Sequence, residues 1–376
     1  MPEFVRSPGF LTLFGAFVVV IGGWLLGLPM LLMWGLAFVI VVAGATVVNG
    51  SYVIRRLLLL IPTLVLVTAF TFYLNNGRGD SRDLAFNILG PGATEPAVAE
   101  IVEEFHLDEP LYKRYMLWLS DAVQGDLGRS AIQQQEVSDA IAKALPVSLQ
   151  LMLYAQIVAL LIAVPAGVYA AYRANRRGDR IASTVATGFI SVPNFVLAVV
   201  LILFLSLGGL KIFGSEVGGT WFPASRYVPF GENRVEHFKH MALPTIALAL
   251  GQAAAYMRIL RSDMIGTLQE NFVTTAKAKG VPTRRILWGH ALRPSSFTLM
   301  TVFGVNTATL IGGTLIIETL FTLPGLGTTI GTAIFSKDFL VVQGVVVVIA
   351  VGFVLFNFFV DLMYAVLDPR VRHVRT

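Results

Sequence analysis

Residues 147–172 read VSLQLMLYAQIVALLIAVPAGVYAAY, a run that contains no charged side chain. About 20 apolar residues suffice for a helix to cross the hydrocarbon core of a bilayer. The next ten residues, 173–182, carry four arginines, and a second apolar run begins at residue 183. This pattern predicts a transmembrane helix, a short basic loop and a second transmembrane segment.

The composition extends that interpretation to the whole chain. Of its 376 residues, 55% are hydrophobic and 14% are charged, whereas soluble domains carry about 25% charged residues. Lipid can cover apolar surface that so few charges could not keep in water. The net charge of +5 lies largely in loops between apolar runs, so it indicates topology and not nucleic-acid binding. The absence of cysteine excludes disulfides, thiol catalysis and thiolate metal sites.

Eight apolar runs are long enough to span a membrane, and all are predicted to be helical because backbone in lipid must satisfy its own hydrogen bonds. The predicted fold class is therefore an all-α polytopic membrane protein. The predicted spans are 10–27, 30–48, 53–74, 147–172, 183–207, 241–262, 296–318 and 343–366. The first two form a hairpin within residues 1–50, and no Ala-x-Ala-like site marks them as a cleaved signal.

Lysine and arginine place the loops on two sides of the membrane. The basic clusters at 55–56, 173–180, 258–293 and 370–375 all fall on one side, which is therefore predicted to be cytoplasmic together with both termini. The segment 75–146 falls outside, and its twelve acidic residues exceed its six basic ones.

The external segment 75–146 shows helical periodicity in two places. Thr94 is a plausible N-cap of a first helix, Asp108-Glu109-Pro110 precedes a second helix, and the glycines at 125 and 128 end it. Two interpretations stay open: these helices cap the bundle or lie on the membrane surface, or they dock an external solute-carrying protein.

The predicted cytoplasmic loop 263–295 reads DMIGTLQENFVTTAKAKGVPTRRILWGHALRPS. Gly280 suits a helix C-terminus because glycine adopts left-handed geometry without a side-chain penalty. Pro282 suits the first turn of a following helix. The loop is thus predicted to be a helix, a sharp glycine turn and a second helix.

Specific residues in this loop give it a functional interpretation. Thr274, Thr275 and Ala276, followed by Gly280, resemble the Glu-Ala-Ala-x-x-x-Gly coupling loop of bacterial ABC importer permeases. The departures from that pattern resemble the peptide branch of the family. Further similar stretches are Tyr52–Leu57, Leu107–Leu111, Gly125–Ser130, Ser191–Phe195, Ile317–Phe321, Leu323–Gly327 and Asp361–Arg370. Over roughly residues 51–373, the chain resembles the B-type permease subunit of the oligopeptide/dipeptide (peptide/nickel) ABC importer family.

The resemblance implies a six-helix type I permease core at 51–376, preceded by an extra two-helix hairpin at 1–50. It implies peptide transport across the inner membrane of a bacterium. The implied partners are a second, C-type permease in a heterodimer, two ATP-binding-cassette ATPases and an external peptide-binding protein. The chain has no Gly-x-x-x-x-Gly-Lys-Ser/Thr loop, so ATP and Mg²⁺ are expected on the ATPases and no cofactor on this chain.

The resemblance also assigns candidate site residues. The expected ATPase-coupling residues are Thr274, Thr275, Ala276, Lys277, Ala278, Lys279, Gly280 and His290. Glu318, Pro324 and Gly325 are candidates for a gate or an external structural element, with Glu318 in either a structural role or contact with substrate. His237 and His240 are expected to be solvated loop residues.

No catalytic or metal-binding constellation stands out in the sequence. Three alternatives remain: another cargo of the same family, such as a nickel chelate or glutathione; an ion-driven secondary transporter; and a membrane-embedded enzyme. The last two are disfavoured because the spans contain few acids, no clear internal repeat and no catalytic polar groups.

Overall fold

A computed structural model describes residues 58–76, 81–89, 92–104, 106–130, 132–208, 210–212 and 215–367. The chain divides into two compact units, one made of Met1–Val147 with Pro324–Thr376 and the other of Ser148–Leu323. The hairpin predicted within residues 1–50 lies outside the described residues.

Helices make up most of the described chain. In the N-terminal part they are α1 (Leu58–Asn76), α2 (Ser81–Leu89), α3 (Glu95–Glu104), α4 (Leu111–Val123) and α5 (Val137–Tyr172). They continue with α6 (Arg177–Ser191), α7 (Asn194–Leu205), α8 (Arg234–Thr267), α9 (Asn271–Ala278) and α10 (Thr283–Arg285). The last are α11 (Leu292–Gly313), α12 (Leu315–Leu320), α13 (Leu326–Ser336) and α14 (Phe339–Leu367). A small antiparallel ribbon, β1 (Leu210–Ile212) with β2 (Ser215–Val217), is the described exception to the predicted all-helical architecture.

Four described helices are long and apolar enough to cross a membrane: Leu58–Asn76, Val137–Tyr172, Arg234–Thr267 and Phe339–Val360. They agree with four of the predicted spans. The predicted span 296–318 covers α11 and α12, which are separated at Thr314 and lie outside that set of four. A polytopic helical protein is confirmed, and the total of eight spans stays a prediction.

The predicted span 183–207 is helical but is not a single straight helix. Helix α6 ends at Ser191, α7 begins at Asn194, and their axes are bent by 102°. Pro193 explains the break, because proline has no N–H to donate and disfavours helical geometry in the residue before it. Val192 accordingly has an extended backbone with φ −93° and ψ 122°. The pair counts as a fifth membrane-crossing segment only if both arms form one span.

In the unit that contains the termini, helices form at both places where segment 75–146 shows helical periodicity. Helices α2 and α3 share a small core of Leu84, Ala85, Val98 and Leu107. Tyr115 of α4 packs edge-on against Phe72 of α1, and its hydroxyl lies 2.8 Å from Thr68 Oγ1. The predicted second external helix therefore rests against a membrane-spanning helix of the same unit.

A buried polar junction connects three helices of this unit. Arg114 of α4 donates from its guanidinium to Asn76 Oδ1 at 3.0 Å, and Asn76 Nδ2 lies 3.4 Å from Gln343 Oε1 of α14. Burial lowers the pKa of Arg114 from its ordinary value. Because ordinary arginine is so basic, the side chain still carries its charge at neutral pH.

Helix α8 is the core of the other unit, where it packs against α6, α7 and α11. Small residues let these helices approach closely: Ala163, Ala249 and Ala253 are buried around Tyr256 and Leu260. Such small-residue contacts are typical of helix packing in membranes, where lipid removes the hydrophobic drive to associate. Helices α8 and α11 are the two that flank the loop singled out by sequence.

Candidate functional site: the 271–291 hairpin

The turn at Gly280 has the geometry that its sequence predicts. Helix α9 ends at Ala278, and Gly280 has φ +74°. The Val281 N–H donates to Ala276 O at 3.1 Å, and the Gly280 N–H donates to Lys277 O at 3.0 Å. These two bonds form a Schellman motif, which satisfies carbonyls that the end of the helix leaves free. The predicted helix–glycine turn is therefore confirmed.

The second half of the hairpin is helical but not a regular α-helix. After Pro282, a short α10 leads into a π-helical turn, Ile286–Ala291, which continues directly into α11. The sequence predicted a second helix here and gave no sign of π geometry. π-Helical turns are rare and are frequently found at functional sites.

The base of the 271–291 hairpin is buried. Val273, Ile286 and Ala291 are at most 2% exposed, and α9 packs against the π turn. Leu287 and Ala291 join the apolar cluster that includes Leu260 and Met264 of α8. The hairpin is thus fixed to the end of α8 and does not hang free.

The outer face of the hairpin carries the residues selected from sequence. Ala276 is half-buried, and the other selected residues are exposed: Thr274, Thr275, Lys277, Ala278, Lys279, Gly280 and His290. Apart from the imidazole of His290, their side chains are small or carry the positive charge of lysine, and none of these residues has a carboxylate. The surface suits contact with another protein and offers no groups for acid–base chemistry.

Two exposed aromatic side chains extend this face and were not selected from sequence. Phe272 and Trp288 each leave 46% of their surface exposed. Large exposed aromatics on an otherwise polar hairpin mark interaction surfaces, because tryptophan and other aromatics are enriched at protein interfaces. The sequence contains one indication that they are exposed. Phe272 and Trp288 are neighbours of the buried Val273 and Leu287, and adjacent residues in a helix point in different directions.

A buried ion pair braces α8 close to the hairpin. Asp179 of α6 is 2% exposed; its carboxylate accepts from Arg261 Nε and, at 2.7 Å, from an Arg261 terminal nitrogen. The Asn175 N–H also donates to Asp179 at 2.8 Å. In the sequence, Arg261 is only one member of a basic cluster that indicates topology, whereas the structure shows that it joins α6 to α8.

Glu318 lies away from the hairpin, beyond the other end of α11. It is fully buried in α12 and accepts hydrogen bonds from Ser148 Oγ and Thr314 Oγ1, both at 2.7 Å. Two hydroxyl donors compensate part of the cost of burying a carboxylate. This arrangement favours a structural role for Glu318 over contact with substrate.

Pro324 and Gly325 form the turn that precedes α13. Gly325 is the N-cap residue with an extended backbone, and its carbonyl accepts from the Thr329 N–H at 3.0 Å. The role of these two residues as a gate or an external structural element stays a prediction.

The prediction for His237 is wrong. Its ring is fully buried at the start of α8, where Nδ1 lies 2.7 Å from Val228 O and Nε2 lies 3.1 Å from the Tyr154 hydroxyl. A carbonyl can only accept, so Nδ1 carries a hydrogen and donates it to Val228 O. Tyr227 of the same loop donates to Gln150 Oε1 at 2.9 Å, and burial raises its pKa. These contacts hold the loop before α8 on the bundle. Among the described residues, no group of three or more His, Cys, Asp or Glu could hold a metal ion.

The 271–291 hairpin lies in a part of the chain that matches a known protein family. Residues 163–373 match the family described as binding-protein-dependent transport system inner membrane component. Residues 50–152 match the N-terminal domain of the same membrane components. The chain belongs to this family. The hairpin and both helices that flank it lie within the matched region, whereas residues 1–49 precede it.

Individual relatives align with most of the length of this chain. A probable peptide ABC transporter permease of Sinorhizobium fredii is 34% identical over 324 residues, 86% of this chain and 100% of the relative. A putative peptide transport system permease of Brucella abortus is 35% identical over 323 residues, 86% of this chain and 99% of the relative. The glutathione transport system permease GsiC of Escherichia coli strain K12 is 32% identical over 324 residues, with 86% and 99% covered.

Proposed function

We propose that this chain is the membrane-embedded pore subunit of an ATP-binding-cassette importer that carries di- and oligopeptides into a bacterial cell. The observation that carries the proposal is the 271–291 hairpin. Its base is buried on α8 and its outer face is exposed, small and cationic, and it lies within the matched permease family region.

The hairpin acts as a mechanical contact. Two ATPases, which bind ATP and Mg²⁺, drive the cycle from the cytoplasm, and one of them receives the hairpin. The small side chains around Ala276 permit close approach, while Phe272 and Trp288 supply apolar contact area. Closure of the ATPases displaces the hairpin and switches the spans between two packings. This chain contributes no catalytic group to ATP hydrolysis.

The complete transporter contains further proteins. A second, C-type permease pairs with this one, and an external peptide-binding protein delivers the cargo. The chain crosses the inner membrane eight times, with a six-helix core and the additional N-terminal hairpin, and both termini lie in the cytoplasm. The hairpin at 1–50 is accessory to the core.

Peptides are the cargo that the relatives support best. Those of Sinorhizobium fredii and Brucella abortus are named as peptide permeases. The relative GsiC is named for glutathione, itself a small peptide, and makes glutathione the second candidate cargo.

The test is uptake by the reconstituted complex. We expect radiolabelled oligopeptides to accumulate in proteoliposomes only when ATP is supplied, and we expect Ala276→Asp and Gly280→Leu to leave the subunit inserted but to abolish uptake. Unlabelled glutathione competes only if it is a cargo. Uptake at the wild-type rate in either variant would refute the coupling role. ATP-independent uptake abolished by an ionophore would instead support an ion-driven transporter.

A further inference from the structure

Two hydrogen bonds join α8 and α11, the helices on either side of the 271–291 hairpin. In the middle of the helices, Asn306 Nδ2 donates to Gln252 Oε1 at 2.9 Å. Next to the hairpin, Ser295 Oγ lies 2.9 Å from Thr267 Oγ1. We refer to these as the Gln252–Asn306 tie and the Thr267–Ser295 tie.

The Gln252–Asn306 tie belongs to a wider polar network. Tyr256, one helical turn after Gln252, donates to Gln156 Oε1 of α5 at 3.0 Å. Tyr256 is fully buried and Gln156 is 2% exposed. The network is made of uncharged side chains, which keeps the cost of burying it low.

The Thr267–Ser295 tie lies at the exit from the hairpin. Ser295 is 2% exposed, and its hydroxyl is also 2.9 Å from Ala291 O, the last residue of the π turn. A serine has one hydrogen to donate. If that hydrogen goes to Ala291 O, the Thr267 hydroxyl supplies the bond between the helices.

Apolar packing fills the interval between the two ties. Leu260 and Met264 of α8 share a buried cluster with Leu299 of α11, and the rings of Tyr256 and Phe303 lie 6.1 Å apart. Gln252 precedes Thr267 by 15 helical residues, so the ties are separated by roughly 22 Å along α8.

We infer that α8, the 271–291 hairpin and α11 form one rigid lever, and that Gln252 and Asn306 are positioning residues that carry the displacement of the hairpin to the middle of the bundle. A pair of helices held at two points and packed between them resists bending and sliding. Movement at the hairpin therefore becomes movement of the whole pair. This inference rests on the proposed function, because the force on the hairpin comes from the ATPases.

A cross-link between the two helices provides the most direct test. The chain contains no cysteine, so the double variant Gln252→Cys/Asn306→Cys can be joined with a short bis-methanethiosulfonate reagent in the assembled, otherwise cysteine-free transporter. The two substitutions break the tie, so the untreated double variant should transport less peptide per ATP hydrolysed than the wild type. If the pair moves as one body, the cross-link replaces the tie and raises this ratio toward the wild-type value. Loss of uptake that a reducing agent restores, or no gain in the ratio, would overturn the inference. Each single-cysteine variant, treated in the same way, controls for the reagent.

Removal of the tie tests its role in positioning. We expect Asn306→Leu to lower the amount of peptide transported per ATP hydrolysed by about 2- to 30-fold, the usual effect of a residue along a coupling network. Adding Gln252→Leu should lower it little further, because the tie is already broken. The matched control is Thr301→Val, since Thr301 is exposed on α11 and, within the described part of the chain, its hydroxyl bonds only to Phe297 O of its own helix.

The outcomes separate this inference from the proposed function. An unchanged ratio of peptide to ATP in Asn306→Leu, or a change only in the KM for peptide, would contradict the lever. If the wild-type complex shows no ATP-driven peptide uptake at all, the proposed function fails instead.

Discussion

Gly280 shows how one residue sets the shape of the exposed hairpin. Its φ is +74°, and a Cβ atom added there would meet nothing within 4 Å. Glycine is therefore required here by the left-handed backbone and not by a lack of space. For an ordinary L-residue this conformation costs roughly 1–2 kcal/mol, whereas asparagine tolerates it better.

This difference gives a prediction at Gly280. Gly280→Val should open the turn and abolish ATP-driven uptake, as is expected of Gly280→Leu, whereas Gly280→Asn should keep the turn closed and retain most of the uptake. Lys277 and Lys279 are both exposed immediately before the turn, so the rate of tryptic cleavage after them measures the opening. Equal cleavage rates and equal uptake in the two variants would show that backbone strain does not matter here.

A different glycine, Gly167 of α5, is required by close packing. An added Cβ would lie 3.1 Å from Leu260 Cδ2 and 3.2 Å from the backbone oxygen of Met257. We predict that Gly167→Ala destabilises the subunit by about 1–3 kcal/mol through overpacking, seen as a lower Tm in detergent. Gly188→Ala is the control, because nothing lies within 4 Å of a Cβ at Gly188. A Tm equal to that of the control would contradict the close contact of α5 and α8.

At the scale of helices, the Asp179–Arg261 pair determines how α6 is held against α8. Asp179 is almost fully buried, and the Arg261 side chain is 27% exposed. Removing one partner of a buried pair leaves the other charge without compensation.

The prediction for this pair is a large loss of stability. Asp179→Ala should cost about 3 kcal/mol, near the low end for a buried pair because Arg261 retains some contact with water. The matched control is Glu95→Ala, which breaks the Arg82–Glu95 pair at 2.7 Å between side chains that are two-thirds exposed; this should cost about 0–1 kcal/mol. Thermal unfolding of the purified transporter measures the loss of stability in each variant. Equal losses in the two variants would contradict the conclusion that the Asp179–Arg261 pair is the more buried one.

Helix boundaries also show which elements were predictable. Long charge-free runs and the Gly280 turn follow from local chemistry, and the structure agrees with both. Pro193 is evident in the sequence, but the run 183–207 was predicted to be one span and the bend was not predicted. The π turn at 286–291 had no local signal, because it depends on Ile286, Leu287 and Ala291 all reaching a buried surface.

For the whole molecule, the topology itself can be tested. We predict that a cysteine at Thr275, in the hairpin, reacts with a membrane-impermeant maleimide only from the cytoplasmic side. A cysteine at Val123, at the end of α4 and 81% exposed, should react only from outside. Right-side-out and inverted vesicles that contain the complete transporter provide the measurement. Labelling of both positions from the same side would refute the proposed orientation.

The sequence by itself determined that this is a helical membrane protein of the permease family with a glycine-turned hairpin. Those features depend on composition, on local backbone preference and on short ordered motifs, all of which can be read without knowing the contacts. The tertiary structure decided the burial of His237, the pairing of Asp179 with Arg261 and the ties that join α8 to α11. Each of these joins residues from separate elements, such as Gln252 and Asn306, 54 positions apart. Their hydrogen bonds follow from how the helices pack, and no local pattern in the chain specifies that packing.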